Sequence, residues 1–198
     1  MALIRPGQLD RTLRDRVAGG AFFFFGDEDY LREEAVDRVV AAYVDPATRD
    51  FNFDQLRGGD VGADDLASIV ATPPMMAEHR VVVVRDGQGL SVKAREVVEA
   101  VAKSTDPGLI LVVSAAIPSG SKAKFYDELK KHAVSVEYAP LSHDDAPGWV
   151  METARDELGV EVDPEAARAL VGGIGVDLGT LGSELRKLSA YVQDRKRV

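Results

Sequence analysis

The chain has 198 residues, and 24 basic against 33 acidic side chains leave a formal net charge of −9 with histidine neutral. That length bounds the fold to one mid-sized domain, or one with a small appendage, and 45% hydrophobic and 29% charged residues with only 9 prolines exclude disorder in favour of a soluble chain with a real core. The absence of cysteine excludes disulfides, thiolate metal sites and cysteine nucleophiles and fits a reducing compartment, the scattered His79, His132 and His143 argue against a histidine-built metal site, and the acidic balance argues against tight nonspecific binding of nucleic acid.

In chain order, the first strong signal is the apolar run Ala21–Phe25, which ends at Gly26-Asp27 and reads as a buried strand. It is far shorter than the roughly 20 residues of a membrane helix, and no secretory signal core of about 7–15 apolar residues precedes it. A cytoplasmic protein with no membrane partner is the expectation. Leu31, Ala35, Val36, Val39, Val40 and Tyr43 then share one face of a helix that begins near Glu28 and stops at Asp45-Pro46. A weaker strand is predicted over Phe51–Leu56, followed by a short helix over Ala63–Val70 that ends before Pro73-Pro74. Val81–Val84 and Leu109–Val113 read as further buried strands, and Val134–Tyr138 as a weaker one. Helices are predicted between them at Val92–Ala102 and Lys122–Lys131. Five strands alternating with helices imply an α/β fold around a parallel sheet.

The pattern changes after Pro140. Only helical stretches follow, at Asp144–Leu158, Pro164–Gly172 and Val176–Tyr191, with start signals at Ser142, Asp163-Pro164 and Asp177. The expected domains are therefore residues 1–140, an α/β sheet domain, and residues 141–198, a small three-helix domain.

Several places in the chain carry residues with potential for chemistry. A strand followed by Gly26 and a helix is where an α/β protein cradles a phosphate. Yet Gly26-Asp27-Glu28-Asp29-Tyr30-Leu31 lacks the Lys-Ser/Thr of a P-loop, and it puts three carboxylates where phosphate charge would sit. Each like-charge pair at ~4 Å is repulsive by about 1 kcal/mol even in water, so nucleotide binding is disfavoured. Asp86 and Ser114 suggest a phosphoacceptor module, but Ala139 stands before Pro140 where its lysine is needed. Ser119-Gly120-Ser121-Lys122 is a superficial serine–lysine arrangement, more in keeping with a helix cap, and Lys122, Lys124, Lys130 and Lys131 form a basic helix that reads as a solvated face.

The odd segment is Ala71-Thr72-Pro73-Pro74-Met75-Met76-Ala77-Glu78. Two prolines stiffen a connection, and two polarisable methionines follow them in what periodicity makes a loop. Such side chains either tuck into the core or anchor a partner, and composition leaves both open.

Taken together these segments resemble the delta subunit of the bacterial DNA polymerase III clamp loader. The residues that carry the resemblance are Phe24-Phe25-Gly26-Asp27-Glu28-Asp29-Tyr30-Leu31, Asn52-Phe53-Asp54, Thr72-Pro73-Pro74-Met75-Met76 and Arg80-Val81-Val82-Val83-Val84. They continue through Leu111-Val112-Val113-Ser114, Lys130-Lys131-His132, Asp163-Pro164-Glu165-Ala166-Ala167, Asp177-Leu178 and Glu184-Leu185-Arg186-Lys187-Leu188, in the family's order along nearly the whole chain.

The resemblance implies an AAA+-like five-stranded sheet domain without a functional P-loop, followed by a helical lid. It also implies a non-catalytic subunit, with no cofactor, metal or catalytic residue, that grips the sliding clamp (the beta subunit) and favours an open ring during DNA replication without hydrolysing ATP. Gly179 stands where related proteins often carry an arginine that senses nucleotide. The family's clamp-binding plug falls on Met75 and Met76, with Thr72, Pro73 and Pro74 setting the loop; here the plug is Met-Met instead of an aliphatic–aromatic pair. The sequence stops before the collar domain, which makes it a truncated or shortened relative. Other loader subunits are expected as partners of the full-length protein, and DNA only through the complete loader. The rivals are a stand-alone nucleotide-dependent phosphotransferase using Gly26 and Ser121-Lys122, and a nucleic-acid-binding fragment using the Lys122–Lys131 helix and the Arg195-Lys196-Arg197 tail.

Overall fold

The computed structural model describes residues 3–15, 19–104, 106–117, 121 and 123–192. The chain divides into two compact units, Met1–Ala139 and Pro140–Val198.

In the first unit, β1 (Leu3–Ile4) leads through a 3₁₀ turn into α1 (Leu9–Arg14), then β2 (Gly20–Phe25) and α2 (Asp29–Tyr43). α3 (Arg49–Asn52), a single turn, precedes β3 (Phe53–Arg57), α4 (Ala63–Val70), β4 (Arg80–Arg85) and α5 (Val92–Lys103). β5 (Leu109–Ala115), α6 (Lys124–His132) and β6 (Val134–Glu137) complete it. The strands form one sheet in the order β1-β6-β2-β5-β4-β3, parallel at every pairing. The α/β class with a parallel sheet is as expected, but the sheet has six strands, not five. The extra strand is two residues long and carries no periodicity of its own; it exists because Leu3 and Ile4 pair with Ser135 and Val136 on the edge of β6.

Alternation along the strands decides which side chain enters which layer. Phe23, Phe25, Val82, Val84, Leu111 and Val113 face α4, α5 and α6, where Leu66, Ala94, Val98, Phe125 and Leu129 meet them. Phe22, Phe24, Val81, Val83, Ile110 and Val112 face the other way onto Leu9 and Leu13 of α1 and Val36, Val39 and Tyr43 of α2. Both faces of β2 are thus buried, and each of its four phenylalanines contributes roughly 1.5–3 kcal/mol by burial. This explains why β2, β4 and β5 read as continuous apolar runs.

The weaker strand expected over Phe51–Leu56 begins later than its sequence suggests. Residues 49–52 close a helical turn, with the Phe53 amide donating to the Arg49 carbonyl, so β3 starts at Phe53 and Phe51 is lifted out of the sheet. The basic helix likewise runs from Lys124 to His132, not from Lys122 to Lys131.

The second unit holds α7 (Ala146–Leu158), α8 (Pro164–Ile174) and α9 (Leu178–Val192). α7 and α9 begin two residues after their predicted starts at Asp144 and Val176: residues 143–145 form a turn ahead of α7, with the Asp145 amide donating to Ser142 Oγ at 3.2 Å and the Ala146 amide to the Ser142 carbonyl at 3.0 Å, and Asp177 stands outside α9 with its Oδ1 accepting from the Thr180 amide at 2.7 Å. The buried Val150 and Ala154, Ala167 and Val171, and Leu181 and Leu185 recur at helical spacing of four on one face of each helix. No helix among the described residues is long and apolar enough to cross a membrane.

Candidate functional site

The loop between α4 and β4 is built to hold two apolar side chains outside the core. α4 is closed by Thr72, whose amide donates to the Ile69 carbonyl at 3.2 Å and whose hydroxyl donates to the Ser68 carbonyl at 2.9 Å. Pro73 and Pro74 cannot continue the helix, having no amide hydrogen to give. The Pro74 ring lies over Gly108, where an added Cβ would come within 3.3 Å of Pro74 Cδ.

Met75 is then fixed by a side chain from another element. The Asn52 carboxamide receives the Met75 amide hydrogen at 2.7 Å through Oδ1 and donates to the Met75 carbonyl at 2.8 Å through Nδ2, which also donates to the Thr48 carbonyl at 3.2 Å. Asn52 is only 1% exposed, so these bonds are shielded from competing water. Arg80 ties the same two segments a second time: its Nη1 donates to the Phe51 carbonyl at 2.7 Å, its Nη2 pairs with Asp54, and its amide donates to the Gly108 carbonyl at 2.8 Å. Beyond Met75 the backbone turns through a left-handed conformation at Met76, with φ of +54°, a conformation that few residues other than glycine adopt. At the far end His79 meets Tyr43 edge-on with ring centroids 5.2 Å apart, beside a cleft of about 220 Å³ at the end of α2.

The outcome for the methionines is exposure: Met75 is 54% and Met76 81% accessible. Thr72 and Pro73 are exposed beside them and Pro74 is partly covered. Sequence reasoning singled out these five residues but passed over Asn52 and Arg80, which hold them. Both stood within the segments that carry the family resemblance, yet neither periodicity nor composition marks a side chain that bonds a backbone 23 residues away.

The Gly26 turn is packed differently from a phosphate cradle. Gly26 has φ of +123°, and a Cβ there would fall 2.1 Å from the Tyr138 carbonyl oxygen. That carbonyl accepts from the Glu28 amide at 3.0 Å, and the Glu28 carboxylate accepts from the Tyr30 amide at 3.3 Å. Two of the donors at the start of α2 are therefore engaged by the protein itself. Asp29 pairs with Arg32, a buried guanidinium whose Nη1 donates to the buried Ser114 Oγ at 2.9 Å.

The residues of the phosphoacceptor reading are occupied by the protein's own cations. Ser114 goes to Arg32, whereas Asp86 accepts from Arg57 Nε at 2.6 Å, and this hydrogen bond holds the Asp86 carboxyl below its usual range. Ser121 Oγ accepts from the Ala123 amide at 3.4 Å in a local turn; Ser119, Gly120, Lys122 and the Arg195–Arg197 tail lie outside the described residues. On the basic helix, Lys130 sits over the Phe25 ring, 4.3 Å from its centroid, and Lys131 pairs with Glu128 at 2.9 Å. Among the described residues no group of three or more histidine, aspartate or glutamate side chains is placed to hold a metal ion.

Comparison with known proteins points one way. A family model for the DNA polymerase III delta subunit matches residues 22–139. The DNA polymerase III subunit delta of Bacillus subtilis (strain 168) is 27% identical over 200 residues, spanning 95% of this chain and 56% of that protein. Among solved structures, the Bacillus subtilis DNA clamp loader delta protein matches with a TM-score of 0.76 at 25% identity, covering 98% of this chain and 59% of that one. At 14% identity, a DNA polymerase III gamma subunit-related protein of Thermotoga maritima matches with a TM-score of 0.58, covering 91% of this chain and 58% of that one. The RuvB Holliday junction branch migration motor of Thermotoga maritima, also 14% identical, matches with a TM-score of 0.56, covering 96% and 60%. The fold is thus AAA+-like, of the kind found in clamp loaders and RuvB. The chain spans a little over half the length of the relatives it matches.

Proposed function

The chain belongs to the DNA polymerase III delta-subunit family, and from that premise we propose that it binds the sliding clamp through Met75 and Met76 and helps to open the ring during replication, without hydrolysing ATP. The observation that carries this reading is the exposed methionine pair on a loop whose backbone is locked by buried Asn52. Two thioether side chains held in water lose apolar burial, and a partner's apolar pocket recovers it. Because Thr72, Pro73, Pro74 and Asn52 already order the loop, little conformational entropy is lost on docking.

Opening the ring then requires only that the open or strained clamp be bound better than the closed one, since that difference alone shifts the equilibrium. Residues 1–140 act in this reading as a sheet domain without a working P-loop and residues 141–198 as its lid. Within the complete loader, ATP on neighbouring subunits controls when the plug is presented, and any DNA contact is made by the assembled loader. The engaged Glu28 and Tyr30 amides at the Gly26 turn support a subunit that leaves nucleotide chemistry to those neighbours.

The test is binding of the purified chain to the same organism's clamp by surface plasmon resonance. Met75→Ala with Met76→Ala is expected to abolish binding while the melting temperature stays nearly unchanged, because neither side chain is in the core. A large stability loss, or unchanged binding, overturns the assignment. Heat of ATP binding in titration calorimetry would favour a nucleotide-dependent phosphotransferase instead.

A further inference from the structure

We propose that the clamp-docking surface extends beyond the methionine pair to Phe51, whose ring supplies the rigid aromatic face that Met-Met lacks. The inference rests on the plug reading of Met75 and Met76 given above.

Six large apolar residues are exposed among the described residues: Leu3, Phe51, Met75, Met76, Val92 and Tyr191. Three of the six sit on two segments stitched to each other. Phe51 precedes Asn52, whose carboxamide makes both bonds to the Met75 peptide, and the carbonyl of Phe51 itself accepts from Arg80. With one residue step and one side chain between them, the Phe51 and Met75 backbones lie within about 10 Å of each other. The same stitching that immobilises the plug therefore immobilises the backbone that carries the ring.

The exposure of Phe51 has a local cause. The α3 turn ends at Asn52 and β3 begins at Phe53, so the residue that would have packed in the sheet is 54% accessible instead. Phe53, two positions on, is covered by the Arg49 guanidinium 4.2 Å from its ring centroid. An apolar patch of this composition fits one kind of occupant: the protein that receives the methionines, presenting an apolar pocket with a flat wall beside it. Thioethers adapt to an irregular pocket, whereas a ring held on a fixed turn loses little freedom on contact. Aromatic anchors of this kind contribute disproportionately to interface affinity. Asp50 and the Arg80–Asp54 pair provide polar groups near its margin.

The experiment measures clamp affinity by surface plasmon resonance for the unaltered chain, Phe51→Ala, and Met75→Ala with Met76→Ala, each with a thermal melt. Phe51→Ala is expected to weaken binding about tenfold without changing the melt. If Phe51→Ala binds like the unaltered chain while the double methionine variant does not bind, the extension is wrong and the plug reading stands. No binding by the unaltered chain overturns both. Should Phe51→Ala lower the melting temperature, Phe51→Trp decides: its emission, after subtraction of the Trp149 signal of the unaltered chain, is expected to shift to the blue on clamp binding. An unchanged spectrum at saturating clamp overturns the proposal.

Discussion

Asn52 shows how one buried carboxamide can set the position of a loop. It offers one acceptor and two donors, and the Met75 amide, the Met75 carbonyl and the Thr48 carbonyl take them. Asn52→Ala leaves the Met75 amide and carbonyl without this partner, while the Thr48 carbonyl keeps the Phe51 amide at 3.0 Å, and it is expected to lower stability by about 1–3 kcal/mol. Clamp affinity should fall as well, since the loop must then be ordered on binding. Asn52→Asp keeps the acceptor for the Met75 amide but turns an oxygen toward two carbonyl oxygens. A carboxyl so placed is protonated more readily folded than unfolded, and only its protonated form donates. This variant is therefore expected to be more stable at pH 4 than at pH 7 relative to the unaltered chain, in melts recorded at both pH values. Equal losses at the two pH values would mean that the bond to the Met75 carbonyl carries little energy.

Among the elements, α6 is tied to α5 by charge as well as by apolar packing. Glu128 of α6 accepts from Lys131 at 2.9 Å and meets Lys103 of α5 at 3.0 Å. These hydrogen bonds, Lys131 first, hold its carboxyl at about 2, below the ordinary 4.5. A depressed carboxylate stabilises the fold fully above its unfolded value and loses that contribution as pH falls through the folded one. The melting temperature of Glu128→Gln is therefore expected to lie below that of the unaltered chain at pH 7 and to converge with it between pH 4.5 and about 2. Glu128 is partly exposed and both its lysine partners lie at the surface, so the difference is expected to be small and to shrink further in 1 M salt. A gap that persists at low pH would assign the effect to lost packing of the side chain instead.

Considered as a whole, the molecule places both apolar layers of the sheet and every residue of the proposed docking surface in the Met1–Ala139 unit. Residues 1–139 alone are expected to unfold in one cooperative transition and to bind the clamp within about twofold of the longer chain, because the unit has its own core and carries every residue of the proposed docking surface. Calorimetry and the same binding assay check both statements. A fragment that folds but has lost affinity would show that the helical unit takes part in gripping.

What the sequence by itself determined is the part of the fold written in periodicity. Continuous runs such as Phe22–Phe25 and Val81–Val84 are buried on both faces, as suits an interior parallel strand rich in β-branched or aromatic residues and bounded by turn residues. The caps at Glu28 and Asp177, the turn at Ser142 ahead of α7 and the proline stop after Val70 are local chemistry, so they too were legible. The Thr72–Met76 segment could be picked out because two prolines followed by two methionines are unusual in a loop.

Tertiary structure decided the rest. β1 is a strand only because an edge of β6 is there to pair with it, and α3 interrupts the expected strand through a turn that sequence alternation does not encode. Whether Met75 and Met76 were core or surface was undecidable from composition, since an apolar side chain carries no label for its surroundings. Asn52 and Arg80 settled that by reaching across 23 and 29 residues to hold the loop and its neighbouring turn in place. Hydrogen bonds between segments so far apart in the chain leave no periodic trace, because their geometry comes into being only when β3 and β4 pair side by side and bring the two segments together.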